Sequence, residues 1–335
     1  MRQQALSLIK YWKFDSVIIG TSMLENTSSK EASQYLGGKF INISLSGSDF
    51  SERKVVLDYV LKKKKIKKVL YSLDNIGIVD ATALQSPFKL ENWGYLYDEN
   101  PWNDVKIYLN KKYLKCLFTP KSKRRCMGKK VDFDRPSAWY HLENHANRYG
   151  GIDNWFKHSN EQIDNEYRKV LKIIQNIKKN KKIETQTIYT RQKEVKKYLD
   201  INLLSLIKNY PDTEFILVLP PYLRAQYAMD AQYNKDRFKI YVESIRYLVG
   251  QSQVYKNMYI YGWGDYDFLD DIRNYKDFEH YKYTINSWML HKIDKKEGLL
   301  RKQNIDDYLA VFSQKALDYN FDYIYNKLDT YLKKQ

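Results

Sequence analysis

A serine, an aspartate and a histidine are the residues of this chain whose types and placement point to covalent chemistry. Asp277 and His280 stand three apart in Asn274-Tyr-Lys-Asp-Phe-Glu-His-Tyr281. On a turn, that spacing lets a carboxylate hold one imidazole nitrogen while the other faces a nucleophile. Ser22 follows the apolar run Asp15-Ser-Val-Ile-Ile-Gly20 and opens a helix-competent stretch. Its hydroxyl is a weak nucleophile alone and needs such a base. A helix N-terminus and nearby backbone N–H groups favour a developing oxyanion there. Gly47, after the second apolar run, has no side chain to keep its N–H from a substrate oxygen. Taken singly, a serine after a strand is most often a helix cap and Asp-x-x-His most often a surface pair. Their joint order along the chain is what makes Ser22, Asp277 and His280 a candidate triad.

The elements that would position these residues read as βα units. Asp15–Gly20, Lys39–Ile43 and Lys68–Leu73 are short apolar runs of the kind that form buried parallel strands. A helix is expected from about Met23 to Tyr35, and another through Lys54–Lys64 with Asp49 or Ser51 as cap. From about Asp80 to Asn160 the pattern breaks into Trp, Tyr, Asn, Pro and Gly, with a short helix expected over Asn103–Leu117. Basic helices follow at about Glu161–Lys179 and Gln192–Lys208. Strands return at Glu214–Leu219 and Asn257–Tyr261 around a helix over Asp236–Leu248, and helices are expected at Ile285–Lys292 and Asn304–Leu332. The expectation is one α/β domain over residues 1–335. It has a doubly wound parallel sheet of about five strands, a basic aromatic insertion over residues 80–190 after the third strand, and a helical segment over 300–335. In such a sheet, ligands bind beyond the carboxyl ends of the strands, where Ser22 falls.

Composition narrows the partners. With 43% hydrophobic and 15% aromatic residues among 335, the chain can bury a core, which excludes global disorder. No run approaches the roughly 18–20 apolar residues of a membrane helix. Met1–Phe14 lacks the pattern of a signal peptide. Fifty-seven basic against forty acidic residues give +17. The basic residues lie in scattered runs (Lys62–Lys65, Lys121–Arg125, Lys178–Lys182) without a nucleic-acid-binding signature, so no nucleic acid partner is expected. Cys116 and Cys126 form no disulfide framework.

Three strings carry a family resemblance. Gly20-Thr-Ser-Met23 resembles the nucleophile motif of SGNH (GDSL-like) hydrolases, Gly47 the second motif, and Asp277-x-x-His280 the last. The longer strings Gly20–Asn26, Leu96–Asp104 and Asn274–Asn286 resemble a bacterial cell-envelope branch, and the resemblance spans about residues 14–330. It implies a flavodoxin-like three-layer α/β/α fold and hydrolysis or transfer of an ester-linked acyl group, such as acetyl on a polysaccharide. It also implies an extracytoplasmic location and a membrane-associated assembly partner, with no cofactor. Where the family has Gly-x-Asn-Asp, this chain has Ser72-Leu-Asp-Asn75, which nominates Asn75 as the side-chain oxyanion donor beside the Ser22 and Gly47 N–H groups. The alternative reading is a catalytically weak module of the same type that binds anionic glycans.

Aromatic residues in and near the insertion are candidates for stacking on sugar rings: Trp102, Trp139, Tyr149 and Trp155, with Tyr222 at the rim after Pro220-Pro221. Arg124 and Arg125 would line that rim. The same aromatics could instead pack a small core of the insertion. His141 and His145 sit four apart, a spacing that suits a metal on a helix, but no third ligand is nominated and no metal is expected.

Overall fold

The computed structural model describes residues 2–79, 90–98, 100, 102–107, 132–181 and 188–335. Cys116, Cys126, Arg124, Arg125 and most of the helix expected over Asn103–Leu117 lie outside them. Within that range Asp104–Ile107 forms a single 3-10 turn.

Six strands form one sheet: β1 (Ser16–Ile19), β2 (Phe40–Asn42), β3 (Lys68–Ser72), β4 (Glu214–Val218), β5 (Met258–Tyr261) and β6 (Leu299–Leu300). Their spatial order is β2-β1-β3-β4-β5-β6. The first five run parallel, with Val17 paired to both Ile41 and Val69, and Leu70 to Ile216; β6 is antiparallel to β5. The fold is therefore α/β around a mixed, mostly parallel sheet. β1 and β2 are wholly buried, as strands covered on both faces must be. β6 is a two-residue pairing, too short to leave a periodic signal, and the sequence reading lacked it.

The helices follow in chain order as α1 (Gln4–Tyr11), α2 (Ser22–Glu25), α3 (Ser29–Leu36), α4 (Phe50–Lys63) and α5 (Asn75–Val79). After these come α6 (Glu143–Ala146), α7 (Ile152–Lys157), α8 (Glu161–Lys178), α9 (Ile188–Leu199) and α10 (Ser205–Asn209). The last five are α11 (Arg224–Gln232), α12 (Lys235–Gln251), α13 (Tyr283–Asp294), α14 (Ile305–Leu317) and α15 (Asp322–Leu332). Asp49 caps α4 by accepting from the Glu52 N–H at 2.8 Å, a contribution of about 1 kcal/mol. α9 continues into α10 through a π-helical turn at Asp200–Leu204.

The helix expected over residues 23–35 is two helices. α2 ends with Asn26 as its C-cap, whose side chain accepts from the Trp139 N–H at 3.0 Å, and Ser28 caps α3 by accepting from the Glu31 N–H at 3.0 Å. The C-terminal stretch likewise divides into α14 and α15. α1 and α11 were not expected. α3 packs on α13, whereas α9 packs on α12, and α11 on α12 and α14. Among the described residues no helix is long and apolar enough to cross a membrane.

Candidate active site

β1 ends at Ile19, and Gly20-Thr21 turn the chain into α2. A Cβ on Gly20 would overlap Ser72 Oγ and crowd the Leu24 side chain, so this turn admits only glycine without a shift in β3. Thr21 caps α2: its hydroxyl accepts from the Met23 N–H at 3.3 Å and donates to Asp74 Oδ1 at 2.7 Å. Ser22 is thereby the first residue of the helix.

The base arrives from the other end of the chain. A single antiparallel bridge, Tyr275 to Tyr281, closes a seven-residue loop with Asp277 and His280 at its tip. Asp277 Oδ1 accepts from the backbone N–H groups of Glu279 (2.9 Å) and His280 (2.7 Å), so the turn fixes the carboxylate. His280 Nδ1 lies 3.0 Å from both carboxylate oxygens, and Nε2 lies 2.9 Å from Ser22 Oγ. A carboxylate only accepts, which puts the proton of the neutral imidazole on Nδ1 and leaves Nε2 to accept from the serine. Ser22, His280 and Asp277 thus form one continuous hydrogen-bonded chain.

Both halves of this arrangement are clamped. Trp139 Nε1–H donates to the Ser22 carbonyl at 3.1 Å, and the indole meets the His280 ring edge-on at 5.3 Å. Tyr281 Oη–H and Asn286 Nδ2 both donate to the Met23 carbonyl, at 3.1 and 2.8 Å. Asn42 Nδ2 donates to the carbonyls of Leu24 and Thr27. The carbonyls that so short a helix leaves unpaired are satisfied by side chains from distant segments.

Lys276 Nζ donates to Asp277 Oδ2 at 2.7 Å and lies 4.9 Å above the Trp139 ring. Burial opposes charge on Asp277, but the neighbouring His280 and Lys276 outweigh it and hold its carboxyl well below the usual range. Glu25, on the same helix as Ser22, is pushed up to about 7 by burial while accepting from the Ser46 N–H at 3.1 Å. His145 sits edge-on to Trp139 at 5.4 Å and is pushed down to about 4 by burial and by the nearby cations.

The oxyanion side is backbone. Gly47 has φ 61°, the left-handed conformation that favours glycine, and its loop is tied to β1 by Leu45 N–H donating to the Gly20 carbonyl at 2.7 Å. Among the described residues, the N–H groups of Ser22 and Gly47 have no acceptor in the protein. Asn75 follows β3 and is buried, with its side-chain oxygen unpartnered among the described residues. Asp74 is turned inward. It accepts from Thr21 and Ser72 at 2.7 Å and from Tyr222 at 3.3 Å, and pairs with fully buried Arg53 at 3.1 Å.

Several expected substrate contacts are structural instead. Trp155 is fully buried and donates to the Tyr275 carbonyl at 2.8 Å, supporting the base of the triad loop. Tyr222 is buried against Asp74 and has no face free for a sugar. Tyr149 donates to the Tyr281 carbonyl at 3.0 Å, again bracing that loop. Trp139 is half-buried and does reach the site, where it also clamps Ser22 and His280. Trp102 is 85% exposed, two residues from Asp104, which pairs with Lys10 near the end of α1. That end of α1 is the one where Lys64, past the C-terminus of α4, donates to the Trp12 carbonyl, so Trp102 is not brought to Ser22.

Lys276 and Glu25 were missed by sequence reasoning, and His145 was weighed only as a metal ligand, not as a neighbour of Trp139 and His280. Two signals were available: Lys276 precedes Asp277 directly, and Glu25 lies one helical turn from Ser22. Among the described residues no cluster of three or more His, Cys, Asp and Glu could hold a metal. No family model, curated protein or solved structure matches the chain, so the site is read from its own geometry.

Proposed function

We propose that the protein is a serine-dependent esterase or O-acyltransferase of SGNH type, acting on an acylated carbohydrate of the bacterial envelope. The observation that carries this reading is the relay from Ser22 Oγ to His280 Nε2 at 2.9 Å and from Nδ1 to Asp277 at 3.0 Å. It sits at the carboxyl ends of parallel strands beside two free backbone N–H groups. The strand order β2-β1-β3-β4-β5 with helices packed around it supports the flavodoxin-like, three-layer form of the reading.

In the first half-reaction Ser22 Oγ attacks the acyl carbonyl carbon as its proton passes to His280 Nε2. The Ser22 and Gly47 N–H groups receive the oxyanion. Collapse breaks the ester bond, and the leaving sugar oxygen takes the proton from Nε2, leaving an acyl group on Ser22. In the second half-reaction His280 Nε2 removes a proton from water or from an acceptor hydroxyl, whose oxygen attacks the acyl-enzyme; the acyl–Oγ bond then breaks, and Nε2 gives the proton to Ser22 Oγ. Asp277 orients the ring and stabilises the transient imidazolium without taking the proton.

The departure Ser72-Leu-Asp-Asn75, whose Asp74 is turned inward to Arg53, favours a second reading, a binding module with a weak oxyanion hole; on the first reading Asn75 is the side-chain donor beside the two backbone N–H groups. Reaction with a serine-directed fluorophosphonate, mapped by mass spectrometry, separates the two. Labelling at Ser22 is expected; a folded protein that does not label is the binding module.

A further inference from the structure

Among the described residues, Lys276 is the only lysine buried from solvent, at 4% exposure. Desolvating an ammonium is unfavourable unless a nearby anion compensates it. Its anion is the triad carboxylate, 2.7 Å from Nζ, and its ammonium lies 4.9 Å over the Trp139 ring, which also meets His280 in an edge-on contact. Asp277 does not need this lysine for orientation. Two backbone N–H groups and the imidazole already fix it. What Lys276 adds is charge.

A lone, half-buried carboxylate beside an imidazole favours the imidazolium, and an imidazolium cannot take the serine proton. We propose that Lys276 is a positioning residue of the triad, an internal counter-ion that offsets part of the Asp277 charge, so that the carboxylate orients His280 and supports the transient imidazolium without holding a proton on the resting ring. This rests on the serine esterase or transferase reading above.

The other groups around His280 leave that pair dominant. Glu25 from α2 is driven toward its neutral acid by burial, as is Glu279 from the triad loop. His145 from α6 is neutral above about pH 4. Arg148, which follows α6, is turned to the Tyr167 hydroxyl at 3.1 Å, and the Tyr149 and Tyr167 phenols are raised by burial.

The test compares Lys276→Met and Lys276→Gln with Lys276→Arg, following kcat/KM on an activated acetyl ester from pH 4.5 to 9 and titrating the His280 ring protons by NMR. An ammonium this near the imidazole is worth a shift of about one to two pH units at an effective dielectric near 20. The neutral variants are expected to move the acid limb and the NMR titration upward by that amount, with rates within a few-fold of wild type at high pH, while arginine leaves both in place. Loss of rate at every pH with an unmoved NMR titration overturns the proposal and makes Lys276 a packing residue. The serine reading fails separately, if Ser22→Ala retains turnover, whereas the NMR titration reads the counter-ion effect without turnover.

Discussion

Ser22 and His280 are each only partly buried, and the His280 side chain keeps 22% of its surface exposed. Neither carries much packing. Ser22→Ala and His280→Ala are therefore expected to cut ester hydrolysis by on the order of 10³-fold or more while leaving stability within about 0.5 kcal/mol. Turnover and thermal melts of the purified variants check this; near-wild-type turnover in either would break the triad assignment. His145 gives a separate signature. Its folded imidazole is held at about 4 against about 6.5 in an unfolded chain, so between those values the unfolded chain binds more protons. The stability it contributes above pH 6.5 is thus lost as pH falls toward 4. Urea midpoints at pH 7 and 5 should show a fall in wild type that His145→Gln reduces. An equal fall in both would assign the effect to other groups.

At the scale of elements, α2 is four residues long, well short of what holds a helix together by its own hydrogen bonds. It persists because Trp139, Tyr281, Asn286 and Asn42 take up its carbonyls. Asn286 is buried and donates to the Met23 carbonyl and to Thr27 Oγ1, each at 2.8 Å. Asn286→Ala should cost about 1–3 kcal/mol in stability. Because a small displacement of a nucleophile is expensive, it should also lower kcat by about 10²-fold with little change in KM. A stability loss with unchanged kcat would show that α2 is held well enough without it. These clamps explain what could be read from the sequence. β1 to β5 were legible because buried strands are continuous apolar runs bounded by Gly and Pro, and the triad because its motifs are local. The roles of Trp139, Trp155, Tyr149 and Tyr222 were not. An aromatic side chain reads the same whether its face meets a sugar or its N–H meets a backbone carbonyl 120 residues away, as Trp155 and Tyr275 do. β6 and the division of the expected 23–35 helix turn on single pairings and one Asn side chain, which leave no periodicity.

Across the whole molecule, Asp74 joins the strand ends. It binds Thr21 after β1, Ser72 of β3, Tyr222 after β4 and Arg53 of α4. Replacing it strands a fully buried guanidinium, so Asp74→Ala should destabilise by about 3–5 kcal/mol, read as a lowered denaturant midpoint. A loss below about 1 kcal/mol would mean that the Asp49 and Ser72 carbonyls, to which Arg53 already donates, hold the guanidinium without the carboxylate.

Ser22 and His280 are 258 positions apart, and the segment carrying Trp139 lies between them. A ribosome adding roughly 5–20 residues per second has the nucleophile in place long before its base exists. On the serine esterase or transferase reading, the nascent chain carries a serine that cannot attack an ester until residues through His280 have been made and folded back onto it. Contacts this remote in sequence also form late and slowly. On refolding from denaturant, far-ultraviolet dichroism should recover first and fluorophosphonate reactivity of Ser22 only afterwards. On the same reading, Ser22 reactivity reports that the segment carrying His280 has docked, and reactivity appearing together with the first helices would show that the two segments find each other early.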